Sequence, residues 1–238
     1  QPKLDGLLPL VALGTVADVV PLEANNRRLV AQGMARMRRG ALPAGMAALL
    51  DVAGGKAHSI STRDLGFMLG PRINAAGRLA DMRLGIECLL SDNPAHALHL
   101  AQELNQFNLE RREREAEMKE QAMFIVDGLL GAESSQPPPA LSVFDESFHE
   151  GVVGIVASRL KDRLHRPTFV FAPSGAVGSS HILKGSGRSI AGFHLRDALD
   201  LIAKRHPEVL LRFGGHAMAA GCTVAREQFD AFSAALQT

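Results

Sequence analysis

The stretch ALSVFDESFHEGVVGIVASRLKDRLHRPTFVFA, residues 140–172, decides the fold class. Its two ends, ALSVFD and PTFVFA, are short apolar runs containing β-branched and aromatic residues, which suits strands. Between them, GVVGIVASRLKDRLH carries apolar residues at helical spacing. A strand–helix–strand order predicts an α/β lobe. Downstream the alternation continues. Residues 185–190 suit a strand, HLRDALDLIAKRH a helix, AAGCTV a strand and REQFDAFSAAL a final helix. The lobe is then about 100 residues, an ordinary domain size.

Upstream, ESSQPPPA (133–140) breaks the pattern as a stiff, polar linker. Before it, the run from Pro94 to about Leu130 has no further proline and almost no glycine, which predicts one long helix. At ~1.5 Å per residue it reaches roughly 50 Å. Its middle, LERREREAE (109–117), is nearly all charge, with Glu110 and Arg114 in the favourable i,i+4 order. It reads as a solvated connector, with a DNA-facing surface as the alternative.

In the first lobe, LLPLVAL (7–13) reads as a short buried strand ending at Gly14. A helix follows from Asn25 or Asn26 to Arg39, with Leu29, Val30, Met34 and Met37 on one face, and another over Leu42–Ala53. Ser61-Thr62-Arg63-Asp64 is a helix start, and DMRLGIECLL a short amphipathic helix. The expected organisation is residues 1–93, a connector over 94–131, and residues 132–238. The chain starts without Met and runs at once into an apolar segment, so it is read as a piece of a longer protein.

Composition narrows the function. Lys+Arg 26 against Asp+Glu 25 leaves a formal charge of +1, so no global field gathers a polyanion and any such binding comes from local clusters. Cys88 and Cys222 form no C-x-x-C pair, which argues against a disulfide or zinc framework and fits a reducing cytoplasm. No apolar run is long enough to span a bilayer, so no membrane role is expected. Trp and Tyr are absent, and most of the eleven Phe belong to the core, so no stacking residue can be chosen. The basic run RRLVAQGMARMRR (27–39) reads as a solvated helix face.

Five places carry chemistry. Asp18 ends the apolar run LPLVALGTVAD, where a carboxylate is either a turn or cap group bonded to backbone N–H or a ligand at the edge of a sheet. GPRINAAGRL (70–79) sets Arg72 and Arg78 about Asn74. Guanidinium forks suit phosphate, but these arginines could equally cap helix carbonyls or pair with Asp64 or Asp81. KGSGRSI (184–190) offers Ser186, Arg188 and Ser189 among glycines, as an anion nest or a glycine-rich hairpin. FGGHAMAAG (213–221) surrounds His216 with Gly214 and Gly215, where His216 is a phosphate-facing group or a satisfied core histidine. Finally, His149 in FHEGVVGIVASRL (148–160) precedes a glycine-lined helix start, as an anion-site neighbour or a cap.

The blocks LVALGTVADVVPL, LGPRINAAGRL, HEGVVGIVASRLKDR, LKGSGRSI, FHLRDAL and FGGHAMAAG, in this order, resemble the RecJ-like single-strand exonucleases of the DHH phosphoesterase superfamily. The resemblance covers nearly the whole chain. It implies an α/β fold made of the C-terminal part of a DHH-type domain, a long connecting helix and a smaller DHH-associated domain. It implies 5′→3′ hydrolysis of single-stranded DNA, in repair and recombination, with two divalent ions, Mn²⁺ or Mg²⁺. By the same resemblance, Asp18 matches the last metal-binding aspartate, and His216 with Gly214 and Gly215 the substrate-gripping signature. Arg72, Ser186 and Arg188 match a pocket for the 5′-terminal phosphate drawn from both lobes, with Asn74 and Arg78 as neighbours that bind the strand or order the loop.

The family's earlier blocks, a D-x-D, a further Asp and the Asp-His-His, are not in these residues, nor is its OB-type domain. The chain alone is therefore expected to be inactive or nearly so, with sheet edge and core exposed in its incomplete first lobe. A sibling phosphodiesterase on short oligonucleotides or cyclic dinucleotides, and a mere single-strand-binding module, are the alternatives. Helicase or single-strand-binding proteins are conceivable partners that no residue here identifies.

Overall fold

The computed structural model describes residues 4–131, 138–176, 178–179 and 181–238. The chain divides into two compact units, 1–112 and 113–238.

The first unit is helical, with no strand among its described residues. The run expected as a strand over 7–13 is instead a 3₁₀ turn, Asp5–Leu7, leading into helix α1 (Leu8–Ala17). A short apolar run has no periodicity to separate strand from helix. Here Pro9 sits in the first turn, where its missing N–H costs nothing, and Thr15 Oγ1 returns to the Val11 carbonyl at 2.7 Å. Helix α2 (Ala24–Arg38) buries Val30, Gly33, Met34 and Met37. Leu29, expected on that face, is exposed. A Cβ at Gly33 would lie 2.3 Å from the Leu8 carbonyl oxygen and 2.7 Å from Ala12 Cβ, so glycine sets the close crossing of α1 and α2.

Helix α3 (Ala44–Val52) follows. Ser61 then starts α4 (Thr62–Asp64) through a reciprocal capping box with Asp64. The chain widens into a π turn, Leu65–Leu69, before α5 (Gly70–Leu79). Pro71 accounts for the irregularity, because it has no N–H to donate to the carbonyl one turn back. Helix α6 (Arg83–Leu90) precedes α7 (Pro94–Gly131), which Asn93 caps through the N–H groups of Ala95 and His96. Ala97, Leu100, Ala101 and Leu104 of α7 close the first core with Leu13, Met37, Leu49, Leu65 and Leu69. The charged run 109–117 of α7 contains no buried residue, as a solvated stretch requires.

The second unit is the α/β part. Its sheet has the order β1-β2-β3-β5-β4, from strands Leu141–Phe144, Thr168–Pro173, Ile182–Arg188, Arg212–Gly215 and Ala219–Ala225 numbered along the chain. β1 and β2 are parallel, joined by α8 (Val153–Leu164), and the other pairs are antiparallel. The strand placed by sequence at 185–190 runs 182–188, and β4, inside the FGGH motif, has no counterpart among the strands read from sequence.

α8 packs on β2 and β3 from one side. α9 (Leu195–Arg205) and α10 (Phe229–Leu236) build the core of the other side with Phe169, Phe171, Leu183, Cys222 and Val224. In that core Phe171 meets Phe232 edge-on, ring centroids 5.1 Å apart. Both cysteines are free and buried, and burial pushes the Cys88 thiol up to about 11. Among the described residues no helix is long and apolar enough to cross a membrane.

Candidate functional site

In the first unit, Asp18 is the residue after the last turn of α1, with its backbone N–H bonded to the Gly14 carbonyl at 3.1 Å. It is therefore neither at a strand end nor in a core; it is exposed. The run around it forms a helix whose buried side is spent on α2, so the charge stands at the rim. The next residue, Val19, has φ +54°, an unusual strained position for a β-branched residue. A helix C-terminus carries partial negative charge, so the backbone offers this carboxylate no compensation and the site favours a cation. Asp18 and Asn74 line one cavity of about 400 Å³, whose remaining wall is largely apolar: Leu10, Leu13, Ile73, Ile86, Leu89 and Leu90. Among the described residues no three His, Cys, Asp or Glu side chains cluster as a metal site. Asp18 can thus supply one hard oxygen ligand, and these residues do not by themselves fit a pair of ions.

Arg72 lies on the opposite side of α5 from Asn74, since two residues turn a helix by ~200°. Its Nε donates to Asn105 Oδ1 at 2.9 Å and its Nη1 to the Met68 carbonyl at 2.8 Å. The second bond is the helix-capping role that sequence left open, with a carbonyl from the π turn as its acceptor. Asp64 is taken by Ser61, and Asp81 lies beside Arg83, so neither anchors Arg72. Burial, and then the charge of Arg112, lower the Arg72 pKa below its ordinary value. Its guanidinium is held in place and pressed by a like charge, and an added anion would relieve that strain. Arg78 is exposed in the last turn of α5. Asn105 could not have been found from sequence, because 33 residues separate it from its partner.

In the second unit the glycines of KGSGRSI are not a nest. They are strand residues whose N–H groups serve the ladder. A Cβ at Gly185 would meet Phe171 Cε1 at 2.3 Å, and one at Gly187 would meet Phe169 Cζ at 2.5 Å. The two glycines make room for rings on the core side, and alternation therefore turns Lys184, Ser186 and Arg188 to the other face. Arg188 Nη1 donates to Ser186 Oγ at 3.0 Å and to the Gly187 carbonyl at 2.8 Å. Ser189, also offered by sequence, is buried and donates to the Phe193 carbonyl at 2.6 Å, so its hydroxyl is occupied.

Gly154, in the first turn of α8, lies against this pair: a Cβ there would stand 2.8 Å from Arg188 Nη2 and 3.0 Å from Ser186 Oγ. Its signal was the glycine-lined start of HEGVVGIVASRL, though its role in making room for the guanidinium needed the sheet. His149 Nδ1 accepts from the Gly151 N–H at 3.1 Å, the capping alternative. Burial, with Arg114 nearby, lowers its pKa, while Glu150 opposes the shift.

The register places Ser186 opposite Gly221, Gly221 opposite Gly214, and Arg188 opposite Ala219. Ser186, Arg188, Gly214, Gly215 and His216 are thereby brought to one end of β3, β5 and β4. His216 is exposed, not a core histidine; its backbone N–H closes the β4–β5 turn on the Ala219 carbonyl at 2.8 Å. Two bonds fix that turn to the rest of the unit, Ser189 N–H to the Met218 carbonyl and Leu195 N–H to the Ala217 carbonyl. Gly215 has φ +138°, and a Cβ there would come within 2.4 Å of Ala220 Cα. Gly215→Ala should cost about 1–3 kcal/mol of stability, read as a lower urea midpoint. An unchanged midpoint would refute this account of the turn. Gly214 differs, because nothing lies within 4 Å of a Cβ built on it. Its bare backbone leaves open floor beside Ser186 and Arg188, where an anion can approach closely.

Residues 138–238 match the DHHA1 domain family. Over 98% of its length the chain is 51% identical to the single-stranded-DNA-specific exonuclease RecJ of Dickeya dadantii, of which it spans 39%. A crystal structure of RecJ from Thermus thermophilus in complex with Mg²⁺ matches 99% of the chain and 34% of its own, with TM-score 0.81 at 32% identity. A structure of RecJ bound to manganese matches 99% of the chain and 55% of its own, with TM-score 0.80 at 33% identity.

Proposed function

We propose, from the premise that this chain belongs to the RecJ branch of the DHH family, that it is the substrate-gripping part of a single-strand-specific 5′→3′ exodeoxyribonuclease. Its relatives carry the single-strand specificity in their name. The observation that supports the reading best is the convergence of Ser186, Arg188, Gly214 and His216 at one end of the sheet. A planar cation, a hydroxyl it already touches, and open glycine floor form a receptor for a phosphate with free oxygens.

On this reading the 5′-terminal phosphate binds at Ser186 and Arg188, and His216 faces the next linkage. Arg72, with its fixed guanidinium, serves a phosphate of the strand, Asn74 and Arg78 also serve the strand, and Asp18 gives one ligand to a divalent ion. Mn²⁺ or Mg²⁺ would supply Lewis-acid activation, in keeping with the ions held by the similar structures. The enzyme acts in DNA repair and recombination in the cytoplasm.

The test is made on a protein of the relatives' full length that carries this chain. With Mn²⁺ or Mg²⁺ it should shorten a single strand from its 5′ end and leave blunt duplex of the same sequence largely intact. Asp18→Asn should abolish turnover while retaining strand binding. Equal rates on duplex and single strand would sink the reading. A preference for dinucleotides over long strands would transfer it to the oligonucleotide phosphodiesterases.

A further inference from the structure

The face that carries Ser186 and Arg188 continues for another row. Lys184 on β3 pairs in register with Thr223 on β5, which pairs with Arg212 on β4. Lys184 Nζ donates to Thr223 Oγ1 at 3.4 Å, and Arg212 is exposed on the edge strand. Among the described residues no carboxylate pairs with Lys184 or Arg212. The three strands Ile182–Arg188, Arg212–Gly215 and Ala219–Ala225 contain no Asp or Glu at all.

Between the two cationic rows the floor is Gly221 and Gly214; the nearest atom to a Cβ on Gly221 is the Gly185 carbonyl oxygen at 3.6 Å. The phenylalanines of this sheet lie in the core of the opposite face, so none of them stacks on a base here. A strand face bordered by α8 at Gly154, with cations at both ends and no carboxylate or phenylalanine of its own, suits a phosphate backbone and ignores base identity.

We propose that Lys184, Thr223 and Arg212 form a second phosphate site, which holds an internal phosphate of the strand whose 5′ end is bound at Ser186 and Arg188. The proposal rests on that reading of the first site. Lys184 and Arg188 are four residue steps apart on β3, ~13 Å at strand rise, which exceeds a single internucleotide step. The second site therefore contributes only when the strand is longer than a dinucleotide. It gives the sheet a built-in preference for long strands.

Binding of 3′-labelled, 5′-phosphorylated (dT)2 and (dT)6 to the full chain, followed by fluorescence anisotropy in EDTA over a range of salt, tests this. The double variant Lys184→Gln, Arg212→Gln should bind (dT)6 about tenfold more weakly. Its log–log salt slope should shrink by about 0.7, because one phosphate is no longer neutralised. Its affinity for (dT)2 should equal that of the wild type. Arg188→Ala should weaken both ligands. If the double variant keeps wild-type affinity and slope for (dT)6 while Arg188→Ala weakens both, the second site is refuted and the first stands. If Arg188→Ala changes neither, the terminal-phosphate reading falls and takes the second site with it.

Discussion

Replacing Arg188 by alanine should erase the preference for a 5′-phosphorylated end. The wild-type chain should bind a 5′-phosphorylated single strand more tightly than its 5′-hydroxyl counterpart, and Arg188→Ala should bind the two alike. A charge-assisted hydrogen bond contributes about 1.5–3 kcal/mol, so the loss for the phosphorylated strand should be roughly 10–150-fold. Arg188 also donates to Ser186 Oγ, so removing it frees the hydroxyl as well as the charge. Arg188→Lys keeps the charge without the planar fork and should recover only part of the preference. A preference that survives Arg188→Ala would place end recognition elsewhere.

The largest expected effect on stability lies in the first unit, at Gly45. A Cβ there would sit 1.9 Å from the Cys88 carbonyl oxygen, 2.6 Å from its carbon and 3.0 Å from Leu89 Cα. All three are backbone atoms, so no side chain can swing aside, and α3 and α6 would have to separate around a buried core. Gly45→Ala should therefore cost about 3 kcal/mol or more. Gly128 is the contrasting case: it is exposed in α7 with nothing within 4 Å of a built Cβ. Gly128→Ala should stabilise by up to about 1 kcal/mol, as alanine does in an open helix. Urea unfolding of the two variants should shift in opposite directions. A wild-type midpoint for Gly45→Ala would contradict the close helix packing.

The second unit was readable because its elements are separated by clear breaks and its first two strands are rich in Val and Phe. The first unit was harder. LLPLVAL has the composition of a buried strand, and its close packing on α2 across Gly33 is a contact that no local pattern discloses. The same error placed Asp18 at a sheet edge, when it ends a helix. Around Ser186 the residue types were legible and the architecture was not. Glycines at 185 and 187 alternate with Lys184, Ser186 and Arg188, a period of two that fits the strand expected over 185–190, but their abundance also suggested an anion nest, which the ladder rules out. Their partners, Phe169 and Phe171, are set by strand register, which no local pattern discloses. For the same reason β4 stayed hidden inside FGGH, where two glycines outweighed one Phe.

The most direct test is a crystal structure of the protein with a 5′-phosphorylated single strand, in metal-free buffer. The expected result is the terminal phosphate within hydrogen-bond distance of the Arg188 guanidinium and Ser186 Oγ, over the Gly214 floor. A strand lying along the exposed arginines of α2, or one that brings its 3′ end to Arg188, would contradict it.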